Sequence, residues 1–296
     1  MAEPLQVEAP ERLLAFLRRS LPGWKRKTLE QRLAAGCVEV NGVAITRPHH
    51  ELRPGDLVRV LDEGLGRSLP VARELPDLVL LHVDEELVAI DKPAGLLSVP
   101  LDEGRGRSAL ALLRESLSRP GRPARVWPVH RLDREASGVL LFARSSAARD
   151  ALQQVWPEAR KLYLALVEGR PDPPQGVVDL PLSEDASLRV RVGPRPGAKP
   201  ARTRYATLRS ARGRSLLAVE LDTGRKHQIR AHLSSIGHPV VGDARYGEAG
   251  PRLGLHARRL EVLHPARPAR VAFEAPVPAE FRALLPGGWQ DGEVGA

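Results

Sequence analysis

The sequence predicts an α+β protein, built on a mixed and largely antiparallel sheet in its long C-terminal part, with a small α/β unit in front. Three observations lead there. Short apolar strands and amphipathic helical stretches interleave without a regular βαβ repeat. Hydrophobic residues make up 42% of 296 residues, enough for a substantial core, yet aromatics are only 4%, so Leu, Val and Ala must fill it. A run rich in Gly and Pro separates two differently patterned regions.

Taken in order, Leu13, Leu14, Leu17 and Leu21 fall on one helical face, and Pro22-Gly23 breaks that helix. A second helix is expected from Thr28, where Thr28 and Gln31 have capping-box spacing, with Gly36 as its stop. Val38-Glu39-Val40 then runs into Asn41-Gly42, a dipeptide that favours a tight hairpin. Pro54-Gly55-Asp56 turns into a strand over Leu57–Val60. These elements define a first domain over residues 1–62. Residues 63–77, with Gly64, Gly66, Pro70 and Pro76, read as a linker.

The second domain is expected over 78–285, with 286–296 as a C-terminal tail. Strands are predicted at 78–83 and 87–90, joined by Asp84-Glu85-Glu86. A helix follows from Ser108 to Leu117, a buried strand at 139–142, and a helix over 146–155 capped by Ser145 or Ser146. Further strands are predicted at 162–167, 205–208, 216–221, 253–263 and 270–273, with a helix from Lys226 to Ile236 closed by Gly237. The stretches 170–176 and 193–200 read as loops.

Charge narrows the function. The net charge is +9 and the pI about 10.3, so a polyanionic partner is expected, although an Arg-biased genome has the same effect. Its distribution is more telling. Between residues 11 and 32 stand Arg12, Arg18, Arg19, Lys25, Arg26, Lys27 and Arg32, against Glu11 and Glu30. Such clustering on a two-helix surface suits RNA phosphates; a merely solvated basic face is the alternative. The run 11–60, with RLAAGCVEVNGVAI and LRPGDLVRV, resembles the small RNA-binding domain named after ribosomal protein S four. That resemblance implies docking on structured RNA and no chemistry.

Several function classes drop out. No Gly-Lys pair exists, so there is no P-loop, and the Gly64-x-Gly66 pattern does not continue as a dinucleotide fingerprint. His227 and His232 are five apart and do not share a helical face as zinc ligands would, and the lone Cys37 allows neither an internal disulfide nor a Cys-based metal site. The first ten residues carry no signal-peptide pattern, and no apolar run approaches a membrane span. A cytoplasmic protein without cofactor or metal is expected. With no coiled-coil heptads, it is expected to be a monomer.

The stretch His130-Arg131-Leu132-Asp133-Arg134-Glu135-Ala136-Ser137-Gly138 is a charged loop entering an apolar strand directly. An Asp at a strand mouth is suited to catalysis, and a loop salt bridge is the bland alternative. Other segments accompany it: Asp91-Lys92-Pro93-x-Gly95 upstream, Lys161-x-Tyr163-x-Ala165 downstream, then Thr223-Gly224-Arg225-Lys226-His227-Gln228-Ile229-Arg230 and Gly242-Asp243-x-x-Tyr246-Gly247. In this order, from about Leu78 to Phe273, they resemble the RluA family of pseudouridine synthases.

The resemblance implies an isomerase that breaks the N1–C1′ bond of uridine, turns the uracil and rejoins it through C5, using no cofactor. It implies that Asp133 is the essential carboxylate, Arg230 its cationic partner and Tyr163 the aromatic surface for the detached base. Whether Asp133 attacks C1′ or assists proton removal at the sugar stays open. Arg131 is the candidate to fill the space of the flipped nucleotide. Lys92, Lys161 and Arg225 are candidate RNA or structural contacts, joined on the first domain by Arg18, Arg19, Lys25, Arg26 and Lys27. His130 is expected to shape the loop. Ala136 departs from the Thr common in the family at that position. Large-subunit ribosomal RNA is the expected substrate, with transfer RNA second. A non-catalytic RNA-binding or ribosome-assembly factor and an RNA N-glycosidase are the competing classes.

Overall fold

The computed structural model describes residues 4–34, 37–40, 43–45, 48–61, 74–75, 78–100, 106–118 and 124–289. Near the N-terminus, helices Leu13–Ser20 and Arg26–Ala34 pack beside a four-stranded sheet ordered Leu5–Gln6, Leu57–Val60, Val38–Val40, Val43–Ala44. Leu13 and Leu17 are fully buried as their spacing requires, and Phe16, Leu29, Leu33, Val38 and Val58 complete a small core. The second helix begins two residues before the expected Thr28. Thr28 N–H and Leu29 N–H both donate to the Lys25 carbonyl, so the first turn closes on Lys25 and Thr28 lies inside the helix. The expected stop at Gly36 and the Asn41-Gly42 turn lie outside the described residues.

The larger part of the chain is built on an 11-stranded sheet, mixed and largely antiparallel as expected, which defines the α+β class. Its main path runs through Gln175–Asp179, Arg202–Ala211, Arg214–Leu221, Arg160–Glu168, Leu255–Leu263, Ser137–Ala143, Leu87–Lys92, Leu78–Val83 and Glu74–Leu75. Glu74–Leu75, within the expected linker, is thus an edge strand paired with Leu78-Val79. Strands Gln175–Asp179, Leu182–Glu184 and Val190–Val192 occupy ground on or beside the predicted loops. They are too short and too exposed to show a period of two clearly.

Strand Ser137–Ala143 is buried along its whole length because it is covered on both faces. Val139, Leu141 and Ala143 pack toward Ala148 and Leu152 of helix Ser146–Val155, while Leu140 and Phe142 pack toward Ala109, Leu110 and Leu113 of helix Ala109–Leu117. Ser145, one of the two expected caps, accepts from Ala148 N–H, and Ser108, expected as the first helical residue, is instead the cap of its helix and accepts from Ala111 N–H.

One seam positions the site. Strands Ser137–Ala143 and Leu255–Leu263 are parallel neighbours through only two register pairs, Ser137 with His256 and Gly138 with Ala257. Beyond them the strands part: Trp127–Pro128 takes the free edge of one and Arg270–Glu274 that of the other. Gly138 makes the approach possible. Its φ is +110°, and a Cβ there would stand 2.2 Å from the Ala257 carbonyl oxygen. At the C-terminus the expected tail does not begin at 286. Trp289 is buried with Val277, Phe281, Leu284 and Leu285, because its large apolar ring completes a core cluster that the strand pattern alone does not reveal.

Candidate active site

The loop 130–136 leads into this seam, and its anchors explain its shape. His130 Nε2 accepts from Leu141 N–H, and its ring packs against Trp156 at 5.0 Å between centroids. Burial pushes its pKa down to about 3, so the imidazole is a neutral strut, in line with the loop-shaping role expected of it. On the other side, Lys92 is completely buried, and its ammonium donates to the carbonyls of Pro93, Leu96 and Arg134. Burial brings its pKa down to about 8 against the pull of Asp133, Glu135 and Asp91. Of the two roles open for Lys92, the structural one is what its contacts describe. Ser98 Oγ donates to the Leu132 carbonyl and accepts from Leu132 N–H, pinning the residue before Asp133.

Asp133 opens on a pocket lined also by Arg131, Ala136, Tyr163, Arg225, His227 and Arg230. Its Oδ2 accepts from Arg230 Nη1 at 3.0 Å. Arg230 is buried in helix Gln228–Ser235, and its other face is committed to Asp243: Nε donates to Oδ2 at 2.7 Å and Nη2 to Oδ1 at 2.8 Å. The Arg230 guanidinium therefore bridges two carboxylates. Burial works against its charge, but the Asp243 hydrogen bonds and the Asp133 charge outweigh it and raise its pKa. Asp243 also accepts from the backbone N–H groups of Arg245 and Tyr246. Burial opposes its ionisation too, and the Arg230 contacts overcome this and lower its pKa.

Tyr163 lies in strand Arg160–Glu168 at a bulge. Leu162 faces Arg259 and Tyr163 faces Ala257, so one residue of the partner strand is skipped. Such an irregularity re-aims a side chain, here toward the pocket. Burial and then the Asp133 charge push its phenol pKa upward, so the hydroxyl stays protonated at neutral pH. Ala136 is buried beside Ala165, Val219, Ile229 and Leu255, an apolar setting that its methyl group fills.

The remaining predicted residues fall into three groups. Arg131 and Arg225 are exposed at the pocket, and Arg225 Nε donates to the Pro200 carbonyl. Lys161 is only 8% exposed and sits over the Trp156 ring at 5.6 Å, so the solvent-facing position assumed for an RNA contact is not the one it takes. The apolar strand around it and the nearby Trp account for that burial. Arg18, Arg19, Lys25, Arg26 and Lys27 are all exposed, with Arg19 paired to Glu11 and Arg26 to Glu30.

Two participants have no role in the sequence reading. Asp243 belongs to the segment Gly242-Asp243-x-x-Tyr246-Gly247, but only the fold brings it to Arg230. His227 was placed inside the helix; instead it precedes it, as a left-handed N-cap with φ +50°. There its Nε2 lies 3.9 Å from Asp133 Oδ1 and its Nδ1 lies 3.0 Å from the Tyr246 hydroxyl. His232 is spent on structure, between the Thr203 hydroxyl and the Leu180 carbonyl.

The parting of two strands thus places a loop aspartate, a buried arginine and an aromatic ring around one pocket. Comparison with known proteins gives the class of protein that carries this site. The RNA pseudouridylate synthase family matches residues 86–235 and the S4 domain residues 11–58. The ribosomal large subunit pseudouridine synthase D of Nitrosomonas europaea is 34% identical over 288 residues, 93% of this chain and 83% of that protein. An uncharacterised RNA pseudouridine synthase of Chloroflexus aurantiacus is 36% identical over 290 residues, 94% and 90% of the two chains. Among solved structures, human RNA pseudouridylate synthase domain containing 4 aligns with a TM-score of 0.57 and 26% identity, covering 68% of this chain and 89% of that one. The chain belongs to the RNA pseudouridylate synthase family: it is an RNA pseudouridine synthase, an isomerase, with an N-terminal S4 RNA-binding domain. No helix among the described residues is long and apolar enough to cross a membrane.

Proposed function

We propose that this protein isomerises uridines of large-subunit ribosomal RNA, with Asp133 as the catalytic carboxylate. The observation that carries the site assignment is the division of labour at Asp133. Arg230 occupies Oδ2, while Oδ1 faces the pocket that Tyr163 lines. A carboxylate so held keeps one oxygen for the sugar. A glycoside hydrolase needs a second carboxylic acid for its leaving group. Here the base stays in the pocket and rejoins, so one carboxylate suffices.

Arg230 positions Asp133, and Asp243 positions Arg230. Tyr163 offers its ring to the detached uracil. With its phenol held protonated, it serves proton movement at C5 by relay through its hydroxyl rather than as a standing base. Arg131, exposed beside Asp133, takes the place of the flipped nucleotide or meets its phosphate, and Arg225 lies along the same approach. The basic residues Arg18, Arg19, Lys25, Arg26 and Lys27 hold RNA phosphates on the first domain.

Ribosomal RNA is favoured over transfer RNA by the S4 module and by the named specificity of the Nitrosomonas relative. We further read residues 1–62 and 78–289 as separate folding units, supported by their distinct sheets and cores. The protein acts as a monomer in the cytoplasm on this reading.

The test is to incubate purified protein with unmodified ribosomal and transfer RNA transcribed in vitro and to map pseudouridine in both. Sites that form in ribosomal RNA with wild type and vanish with Asp133→Asn, while RNA binding persists, support both assignments. Sites confined to transfer RNA overturn the substrate, and an active Asp133→Asn protein overturns the catalytic residue.

A further inference from the structure

We propose that His227 is a further catalytic residue: its Nε2–H donates to the O2 carbonyl of the target uracil and stabilises the charge released when the N1–C1′ bond breaks. The inference rests on Asp133 being the catalytic carboxylate.

Position comes first. His227 lines the pocket with Asp133 and Tyr163. Its Nε2 is 3.9 Å from Asp133 Oδ1, the oxygen not used by Arg230. That separation exceeds a hydrogen bond, so neither atom satisfies the other. A uridine whose C1′ stands against Oδ1 carries its O2 carbonyl on the neighbouring ring atom of the base, within reach of a donor placed beside that oxygen.

The tautomer follows from the other ring nitrogen. The Tyr246 hydroxyl oxygen accepts from Val190 N–H at 3.3 Å and lies 3.0 Å from His227 Nδ1. Val190 N–H is itself a donor, so of these two neighbours only Nδ1 can accept a hydrogen bond from the Tyr246 hydroxyl; with Nδ1 accepting, the ring proton sits on Nε2, facing the pocket. Tyr246 is itself held by the Asp243 loop, and its ring lies between the guanidinium groups of Arg189 and Arg230, at 5.6 and 5.5 Å. The left-handed backbone at His227, φ +50°, is an unusual conformation for a residue other than Gly, Asn or Asp, and it directs this side chain over the carboxylate.

The ring is neutral for a physical reason. Burial lowers its pKa, and Arg230, Arg245 and Lys226 lower it further against the single opposing charge of Asp133. A neutral donor is the right partner for this step. When the N1–C1′ bond breaks, its electron pair stays with the uracil and spreads over N1, O2 and O4. A donor to O2 holds that charge in place without giving up its proton. The pair is used again when C5 bonds to C1′; C5 then loses its proton and N1 gains one, so the product is an isomer. Preorganised donors of this kind are usually worth about 10²–10³ in rate.

The experiment is a single-turnover assay on ribosomal RNA carrying uridine, 2-thiouridine or 4-thiouridine at the mapped site. It compares wild type with His227→Asn, which tolerates the left-handed backbone and keeps a polar atom near Tyr246 but cannot reach the base. We expect His227→Asn to slow turnover of the uridine substrate on the order of 10²-fold, with RNA affinity changed less than about twofold. The 2-thio substitution, which weakens the acceptor, slows wild type strongly and the variant little, whereas the 4-thio substitution affects both equally. Thio effects that multiply independently of the substitution at 227, or an unchanged rate for His227→Asn, overturn the proposal. Asp133→Asn, run alongside, separates this failure from that of the site: an inactive Asp133→Asn with a normal His227→Asn removes only the role of His227. Tyr246→Phe provides the check on the tautomer, with a loss smaller than that of His227→Asn expected and an unchanged rate counting against the lock.

Discussion

Two groups of basic side chains lie in this molecule and have opposite physical characters. Arg230 is buried and makes three hydrogen bonds to two carboxylates. Arg18 and Lys27 lie exposed on two short helices, and Lys25 is exposed just before the second. The first case concentrates electrostatics in one residue: a low local dielectric makes each contact strong and makes an unmatched charge very costly. The second spreads it over many weak contacts, each screened by salt. The contrast teaches that net charge describes only the second group. Arg230 adds little to the field around the protein, because Asp133 and Asp243 offset its charge, yet on the proposed mechanism it is the residue that holds the carboxylate.

The sharpest way to break the contrast is to remove one partner of Arg230. Asp243→Ala leaves the buried guanidinium with Asp133 and a longer, solvent-exposed contact to Glu135, and breaking a buried pair costs roughly 3–5 kcal/mol. We expect a large fall in thermal stability together with lost turnover. A variant as stable as wild type would show that the pair is not buried in the electrostatic sense.

The same pair gives a pH dependence. The Asp243 pKa is depressed in the folded state, so its stabilisation is fully present above the unfolded value of about 3.9 and is lost as pH falls through the folded pKa. Denaturant titrations should show wild type losing stability below about pH 4 more steeply than Asp243→Asn. Parallel acid limbs for the two proteins would contradict the assignment.

On the exposed side, reversing Arg18, Lys25 and Lys27 together to Glu in the full chain should weaken RNA binding and lower the slope of log Kd against log salt by about 1–3. Turnover at saturating RNA should stay near wild type. An unchanged slope would mean that the basic helices do not meet phosphate. The smallest effect belongs to Arg26→Ala, which removes an exposed i,i+4 pair with Glu30; unfolding free energy should change by less than about 0.5 kcal/mol.

Legibility in the sequence divided along the same line. Leu13 and Leu17, the buried run 139–142, and a serine cap at 145 or 146 were readable because each reports a preference felt over a few neighbouring residues. Lys92 and Lys161 could be read either as RNA contacts or as structure, since nothing local to a lysine says whether carbonyls or a Trp ring await it. The start of the second helix was misplaced because Thr28 has a capping pattern that the Lys25 carbonyl makes redundant. Trp289 was assigned to a tail because its partners, such as Val277 and Leu285, show no period that marks them as a core.

By itself, the sequence determined the class: the order of strands and helices, the basic N-terminal unit, and the motifs that mark Asp133, Tyr163 and Arg230. All of these are local patterns or their order along the chain. Only the tertiary structure decided the working geometry. It joined Asp133 to Arg230 across 97 residues, set Asp243 on the other edge of the same guanidinium, and turned His227 out of its helix to face the second oxygen of Asp133. The physical reason is range. Helix and strand preferences are settled within a few residues, whereas the split between two strands that allow one glycine between them, and the charges that collect there, exist only once the whole sheet has closed.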